Sequence, residues 1–225
     1  MGVPSWTSRP RAVAGRWIAY RHVGQGIPAL WYGGGSTTLL QESGRWHREG
    51  ESLAQYLALS SDGAWAELVR YETLRTEADR LAERRRLWQV LVVADRIADL
   101  STFDAWQACG LDPALAVGDH EPCQAIGSEL RRSGFQGVLS PSAALDVAGA
   151  VNLSLFGGRI EHRIEGRALP DEPVDAEGPW LPTVLLSDNA TPTRFAMERT
   201  CYIAEHHRTL AEWRSTRRPR RRRAR

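Results

Sequence analysis

The run Trp88-Gln89-Val90-Leu91-Val92-Val93-Ala94 limits the fold of this chain more than any other stretch. It is β-branched and nearly continuously apolar, which predicts a strand in the middle of a sheet. The rest of the chain supplies partners for it. Trp17–Val23 reads as a short strand, as do Gly137–Leu139 and Val151–Phe156. Leu53–Leu59 alternates, with Ala54, Tyr56 and Ala58 on one face and Leu53, Gln55, Leu57 and Leu59 on the other, so Tyr56 points away from the leucines. Between the strands lie helical patterns. One starts near Gly63 behind the capping run Ser60-Ser61-Asp62, takes Trp65, Leu68 and Val69 inward, and carries Glu67 in its early turns. A second covers about Leu74–Arg86 and is dense in Arg and Glu, which fits a solvated face. A third, Glu121–Ser133, is closed by Gly134, and a last one covers Thr200–Trp213. Ile160–Ile164 reads as an edge strand and Pro170–Pro182 as an acidic, proline-rich connector. With 225 residues, 42% of them hydrophobic, one large core with an extension is expected.

Composition removes several functions. There is no lysine, so Schiff-base chemistry and a Walker A phosphate loop are excluded. The three cysteines are widely spaced and form no Cys-x-x-Cys pair, which argues against a disulfide framework or a zinc knuckle. The histidines lack ligand spacing, so no metal is expected. Gly33-Gly34-Gly35 is read as a flexible turn, and Ser142 sits in no Gly-x-Ser-x-Gly elbow. No apolar run is long enough to span a bilayer, and the first residues carry Arg9, Arg11 and Arg16 where a signal peptide needs an apolar core, so a cytoplasmic protein without membrane partners is expected. Seven arginines fall in the last nine residues, leaving a mildly acidic body with a cationic tail.

Chemistry concentrates around Gly44-Arg45-Trp46-His47-Arg48-Glu49-Gly50 and the two elements after it. Together they offer the Arg45 guanidinium, the Tyr56 phenol and the Glu67 carboxylate. A guanidinium is a fixed planar donor suited to pyrophosphate or ribose oxygens. A carboxylate stabilises the positive charge of an oxocarbenium-like centre, although no paired second acid is evident. Each residue also has a plainer explanation: a cation–π pair for Arg45 beside Trp46, a core position for Tyr56, a dipole-favoured surface position for Glu67 and a turn for Ser142. Arg21 either faces a site or lies on the surface, and Glu72 is the carboxylate that competes with Glu67.

In order along the chain, Gly44-Arg45-Trp46, Tyr56-Leu57-Ala58, Ala66-Glu67, Pro141-Ser142-Ala143 and Asn152-Leu153-Ser154-Leu155-Phe156 resemble the successive blocks of the RES-domain toxins. The resemblance spans about Trp17–Ile164. It implies a compact α+β fold similar to ADP-ribosyltransferases, with a central, split, mixed β-sheet flanked by helices. It also implies NAD+ as substrate with no other cofactor, and neutralisation by a cognate helix-turn-helix antitoxin. Arg45, Tyr56, Glu67 and Ser142 match the family's catalytic positions; Arg45, Tyr56, Ser142, His47, Arg21 and Asn152 are the substrate-binding candidates. Where the family continues with an asparagine and a Pro-Gly pair, this chain has His47-Arg48-Glu49-Gly50, so His47 is either an extra phosphate ligand or a surface substitute.

The resulting expectation is a poorly ordered lead-in over 1–15, a catalytic domain over 16–166, a C-terminal extension over 167–216 with a helix near 200–213, and an arginine-rich tail over 217–225. The activity expected is toxic cleavage of the nicotinamide–ribose bond of NAD+ by hydrolysis or phosphorolysis. ADP-ribosylation of a protein target is the near alternative, and a catalytically decayed nucleic-acid-associated protein of the same fold the distant one. A homodimer within a toxin–antitoxin assembly and DNA contact through the tail are the further partners considered.

Overall fold

The computed structural model describes residues 6–27, 29–30, 41–70, 76–156, 163–164, 167–168 and 183–217. In chain order the elements are β1 (Arg11–Val23), β2 (Ala54–Ala58), α1 (Ser61–Val69), α2 (Glu77–Ala82), β3 (Arg85–Asp99), α3 (Phe103–Ala108), α4 (His120–Arg132), β4 (Gly137–Pro141), β5 (Val151–Phe156), β6 (Arg163–Ile164), β7 (Arg167–Ala168), β8 (Thr183–Ala190), α5 (Arg194–Arg199) and α6 (Arg208–Arg217). The main sheet is ordered β1-β2-β5-β4-β3-β8, and β1 also pairs with β3, so the sheet closes on itself. This is the mixed, helix-flanked α+β architecture expected, drawn round into a barrel.

The Trp88–Ala94 run is central, within β3. β3 runs antiparallel to β1 from Arg11↔Asp99 to Val23↔Arg86. Its last residues pair in parallel with β4, and its first ones pair antiparallel with β8. Its two faces differ, however. Trp88, Val90 and Val92 point into the closed sheet with Ala19, Leu57 and Leu153, whereas Val93 is 48% exposed on the outside. A second core lies outside the β4 region, where Trp46, Leu100, Trp106, Ile126, Leu130 and Val138 pack together. α1 and α5 share Trp65, Leu68 and Ala196.

Several expectations need correction. β1 begins at Arg11, inside the segment read as lead-in, because its first residues still pair with the end of β3 and Arg11 meets Asp99 at 2.6 Å. The helix expected up to Arg86 stops at Ala82, because Arg85 and Arg86 already belong to β3. The strand at Gly137 continues through Pro141, moving the turn beyond it. β8 gave no signal because its outward residues are apolar too: Val184 and Leu186 are 56% and 47% exposed, which erases the period-2 pattern. The helix expected over Thr200–Trp213 is a short 3-10 turn over Ala204–His206 followed by α6, and α5 precedes that range. Among the described residues no helix is long and apolar enough to cross a membrane.

Candidate functional site

The pleat of the sheet sets the floor of the site. Tyr20, Ala58, Asn152 and Ser140 are cross-strand neighbours on β1, β2, β5 and β4. Directly opposed residues share a face, so this row lies on one side, with Tyr56 and its partner Ser154 following two positions along. Above the row is a cavity of about 610 Å³. Arg21, Arg45, His47, Tyr56, Glu67 and Asn152 all line it; Ser142 does not.

Arg45 is presented by a tight turn. Gly44 N–H donates to the His47 carbonyl at 3.1 Å, and the turn is tied down by three bonds from two elements, β2 and α4. The Trp46 amide donates to the Tyr56 hydroxyl at 2.9 Å, Gln124 of α4 donates to the Gly44 carbonyl at 2.9 Å, and Arg131 of α4 donates to the Trp46 carbonyl at 2.8 Å. Trp46 is 1% exposed, its ring 6.2 Å from that of Trp106. Only glycine fits at position 44, since a Cβ there would lie 2.4 Å from the Tyr56 hydroxyl oxygen. Arg45 itself then reaches the Gly118 carbonyl at 2.9 Å. That bond and a 3.9 Å one to Cys123 Sγ both come from NH1, which leaves most of the donor fork open.

This geometry reassigns two candidates. The Tyr56 hydroxyl accepts from Trp46 and lies 2.8 Å from His47 Nδ1, so the phenol holds the Arg45 turn. His47 is 1% exposed, so it is not a surface substitute. Burial pushes its pKa below the ordinary histidine value, and the Arg131 charge acts the same way, which favours a neutral ring.

Glu67 lies on α1, a helix started by Ser60, whose hydroxyl accepts from Gly63 N–H at 3.0 Å. Its neighbours Ala66 and Leu68 are buried, while its carboxylate accepts a 2.7 Å bond from Asn152 Nδ2. Asn152 thereby orients the carboxylate, and its own Oδ1 is buried without a partner among the described residues. Arg21 lines the cavity while donating to Gln55 Oε1.

Ser142 belongs to the frame. Its Oγ accepts from Leu145 N–H at 2.9 Å and Ala144 N–H at 3.3 Å, and the side chain is buried. The serines that line the cavity are Ser43, Ser140 and Ser154. The loop after Ser142 is clamped by the C-terminal segment. Cys201 N–H donates to Ala144 O at 2.7 Å, His207 Nε2 lies 3.1 Å from Ser142 O, and the Asp146 carboxylate caps α6 by accepting from Arg208 N at 2.7 Å and Thr209 N at 2.9 Å. That cap and the burial of His207 break the helix expected over Thr200–Trp213.

Arg70 and His120 also line the cavity and had not been singled out. Arg70 stands three positions after Glu67, a spacing that puts both on one side of α1, so the helical period was the available signal. His120 is the first residue of α4 and gave none. Glu72, Gly33–Gly35 and the tail beyond Arg217 lie outside the described residues.

His22 stacks on Trp65 at 5.3 Å and 8°. Burial, with help from the Arg85 and Arg21 charges, lowers its pKa from 6.5 to about 3. The unfolded chain therefore takes up this proton first, and the associated stability is full above pH 6.5 and lost as pH falls toward 3. Urea midpoints measured from pH 7 to pH 5 should fall for the wild type. His22→Phe should flatten that slope by at most ~1.4 kcal/mol per pH unit, one proton's worth; an unchanged slope would show that His22 is not held neutral.

Comparison with known proteins places these features. A RES domain is matched over residues 18–177. A probable NAD(+) phosphorylase of Mycobacterium tuberculosis is 35% identical over 114 residues, covering 50% of this chain and 53% of that protein. The chain thus spans about half the length of this curated relative. A chain of the crystal structure of the M. tuberculosis MbcT–MbcA toxin–antitoxin complex superposes with a TM-score of 0.54 and 25% identity, over 84% of this chain and 91% of that one.

Proposed function

This chain belongs to the RES domain family, and we propose that it is the toxin of a toxin–antitoxin pair that cleaves the nicotinamide–ribose bond of NAD+. The observation that carries this reading is the meeting, in one cavity of about 610 Å³, of the Arg45 fork with a single Asn152-oriented carboxylate, Glu67. The size suits a dinucleotide held in part outside the cavity. The similarity to a probable NAD(+) phosphorylase supports the same substrate.

The chemistry needs one carboxylate at the ribose; Glu42 also lines the cavity but is solvent-exposed. Nicotinamide in NAD+ is bonded through a cationic ring nitrogen, so it leaves as a neutral molecule when the C1–N electron pair returns to that nitrogen, and no general acid is required. What must be stabilised is the positive charge left on the ribose. Glu67 supplies the compensating negative charge, and Asn152 fixes its direction. Arg45 holds phosphate oxygens by charge-assisted bonds. An oxygen of inorganic phosphate or of water then bonds to C1, water losing its proton to solvent. Tyr56, His47 and Trp46 act by holding the Arg45 turn, and Ser142 by shaping the loop between β4 and β5.

Product analysis separates the acceptors. Purified protein incubated with NAD+ and phosphate should yield nicotinamide and a phosphorylated ADP-ribose; free ADP-ribose alone would indicate hydrolysis, and label retained on protein would indicate transfer. The similarity to a chain of a toxin–antitoxin complex supports a cognate antitoxin as partner and, with it, action in the cytoplasm. A homodimer and DNA contact through the arginine tail are parts of the same proposal. DNA retention across a salt series, with and without the residues after Arg217, tests the tail.

A further inference from the structure

One wall of the cavity carries two residues, Arg70 and His120, to which the bond-cleaving step gives no role. Arg70 enters from the end of α1 and His120 from the start of α4, and both line the cavity together with Arg45. Among the described residues the Arg70 side chain makes no hydrogen bond or ion pair, so its five N–H donors face the cavity unspent. Asp119, the N-cap of α4, makes no side-chain capping bond, which leaves the first amides of this helix open. Glu67, held by Asn152, and Glu42 also line the cavity, and among the described residues neither is ion-paired to Arg70 or Arg45.

We infer that Arg70, Arg45 and His120 form a phosphate-binding subsite, distinct from the Glu67–Asn152 pair, which takes a tetrahedral oxyanion beside the ribose. Two sources carry this chemistry: inorganic phosphate as the attacking co-substrate, and the pyrophosphate of the dinucleotide. The assignment of the anion to a reaction rests on the NAD+-cleaving reading above, but the anion binding itself does not. Burial and then the Arg45 and Arg70 charges lower the His120 pKa to about 4, so near neutral pH its ring is an uncharged hydrogen-bonding group beside the two guanidiniums. Asp119 opposes that shift only weakly. A bound phosphate relieves the repulsion between the two guanidiniums.

The test is calorimetric titration of the full chain with inorganic phosphate alone and, separately, with ADP in phosphate-free buffer, for the wild type, Arg70→Gln, Arg70→Lys and His120→Gln. Arg70→Gln should weaken at least one of the two ligands on the order of tenfold or more, the loss expected for a charged hydrogen-bonding partner. Arg70→Lys should recover part of it, and His120→Gln should weaken the same ligand by a few fold. Loss for phosphate with ADP unchanged assigns the subsite to the co-substrate; loss for ADP assigns it to the pyrophosphate. Affinities within twofold of wild type for both ligands in Arg70→Gln and His120→Gln would overturn the subsite. Arg70-dependent phosphate binding in a protein that never releases nicotinamide would keep the subsite and remove the NAD+ reading.

Discussion

Glu67→Gln is expected to lower nicotinamide release from NAD+ by 10²-fold or more without unfolding the protein, the scale seen when a group acting on transition-state charge is removed. Glutamine keeps the oxygen that accepts from Asn152 Nδ2 and differs almost only in charge. The loss should fall on kcat, because the charge matters most when the ribose becomes cationic. Asn152→Ala should give a smaller loss in the same direction, since it frees the carboxylate to turn. A change of threefold or less in Glu67→Gln, with the circular dichroism and melting curve of the wild type, would remove the carboxylate from the chemistry.

Trp46→Ala is expected to cost the most stability, about 3–5 kcal/mol for a large aromatic lost from a core. For a chain of this size that is a fall in Tm on the order of 10 °C. Trp46 is 1% exposed and joins the cluster that holds α3 and α4 against the sheet. Its backbone is gripped as well. Gly127 of α4 lies so close that a Cβ there would stand 2.4 Å from the Trp46 carbonyl oxygen. Trp46→Phe, which keeps part of the volume, should lose less. Measured by urea unfolding, a cost under 1 kcal/mol for Trp46→Ala would mean that the turn carrying Arg45 is not anchored by its tryptophan.

These two residues also show what was legible in the sequence. Trp46 and Glu67 stand in blocks whose order along the chain points to the RES fold, and the face on which Tyr56 lies follows from the alternation of Leu53–Leu59. Closure of the sheet did not follow, because it depends on β1 and β3 pairing across distant segments. That the Ser142 side chain does not line the cavity could not be read from the sequence for a local reason. A serine after a proline reads the same whether its hydroxyl faces a cavity or caps two amides, and here Leu145 and Ala144 take it. The C-terminal segment was opaque because its hold on the loop after Ser142 runs through His207 and Asp146, a contact between residues far apart in sequence. It is part of the frame of the site, packed on α1 through Ala196 and on the β4–β5 loop through Cys201.

The most direct measurement is the time course of free nicotinamide released from excess NAD+ by the purified full chain in phosphate buffer, run beside folded Glu67→Gln. Continuous release over many turnovers by the wild type, near background in the variant, is the predicted result. No release by the wild type above the level of Glu67→Gln, in phosphate or in phosphate-free buffer, would contradict it.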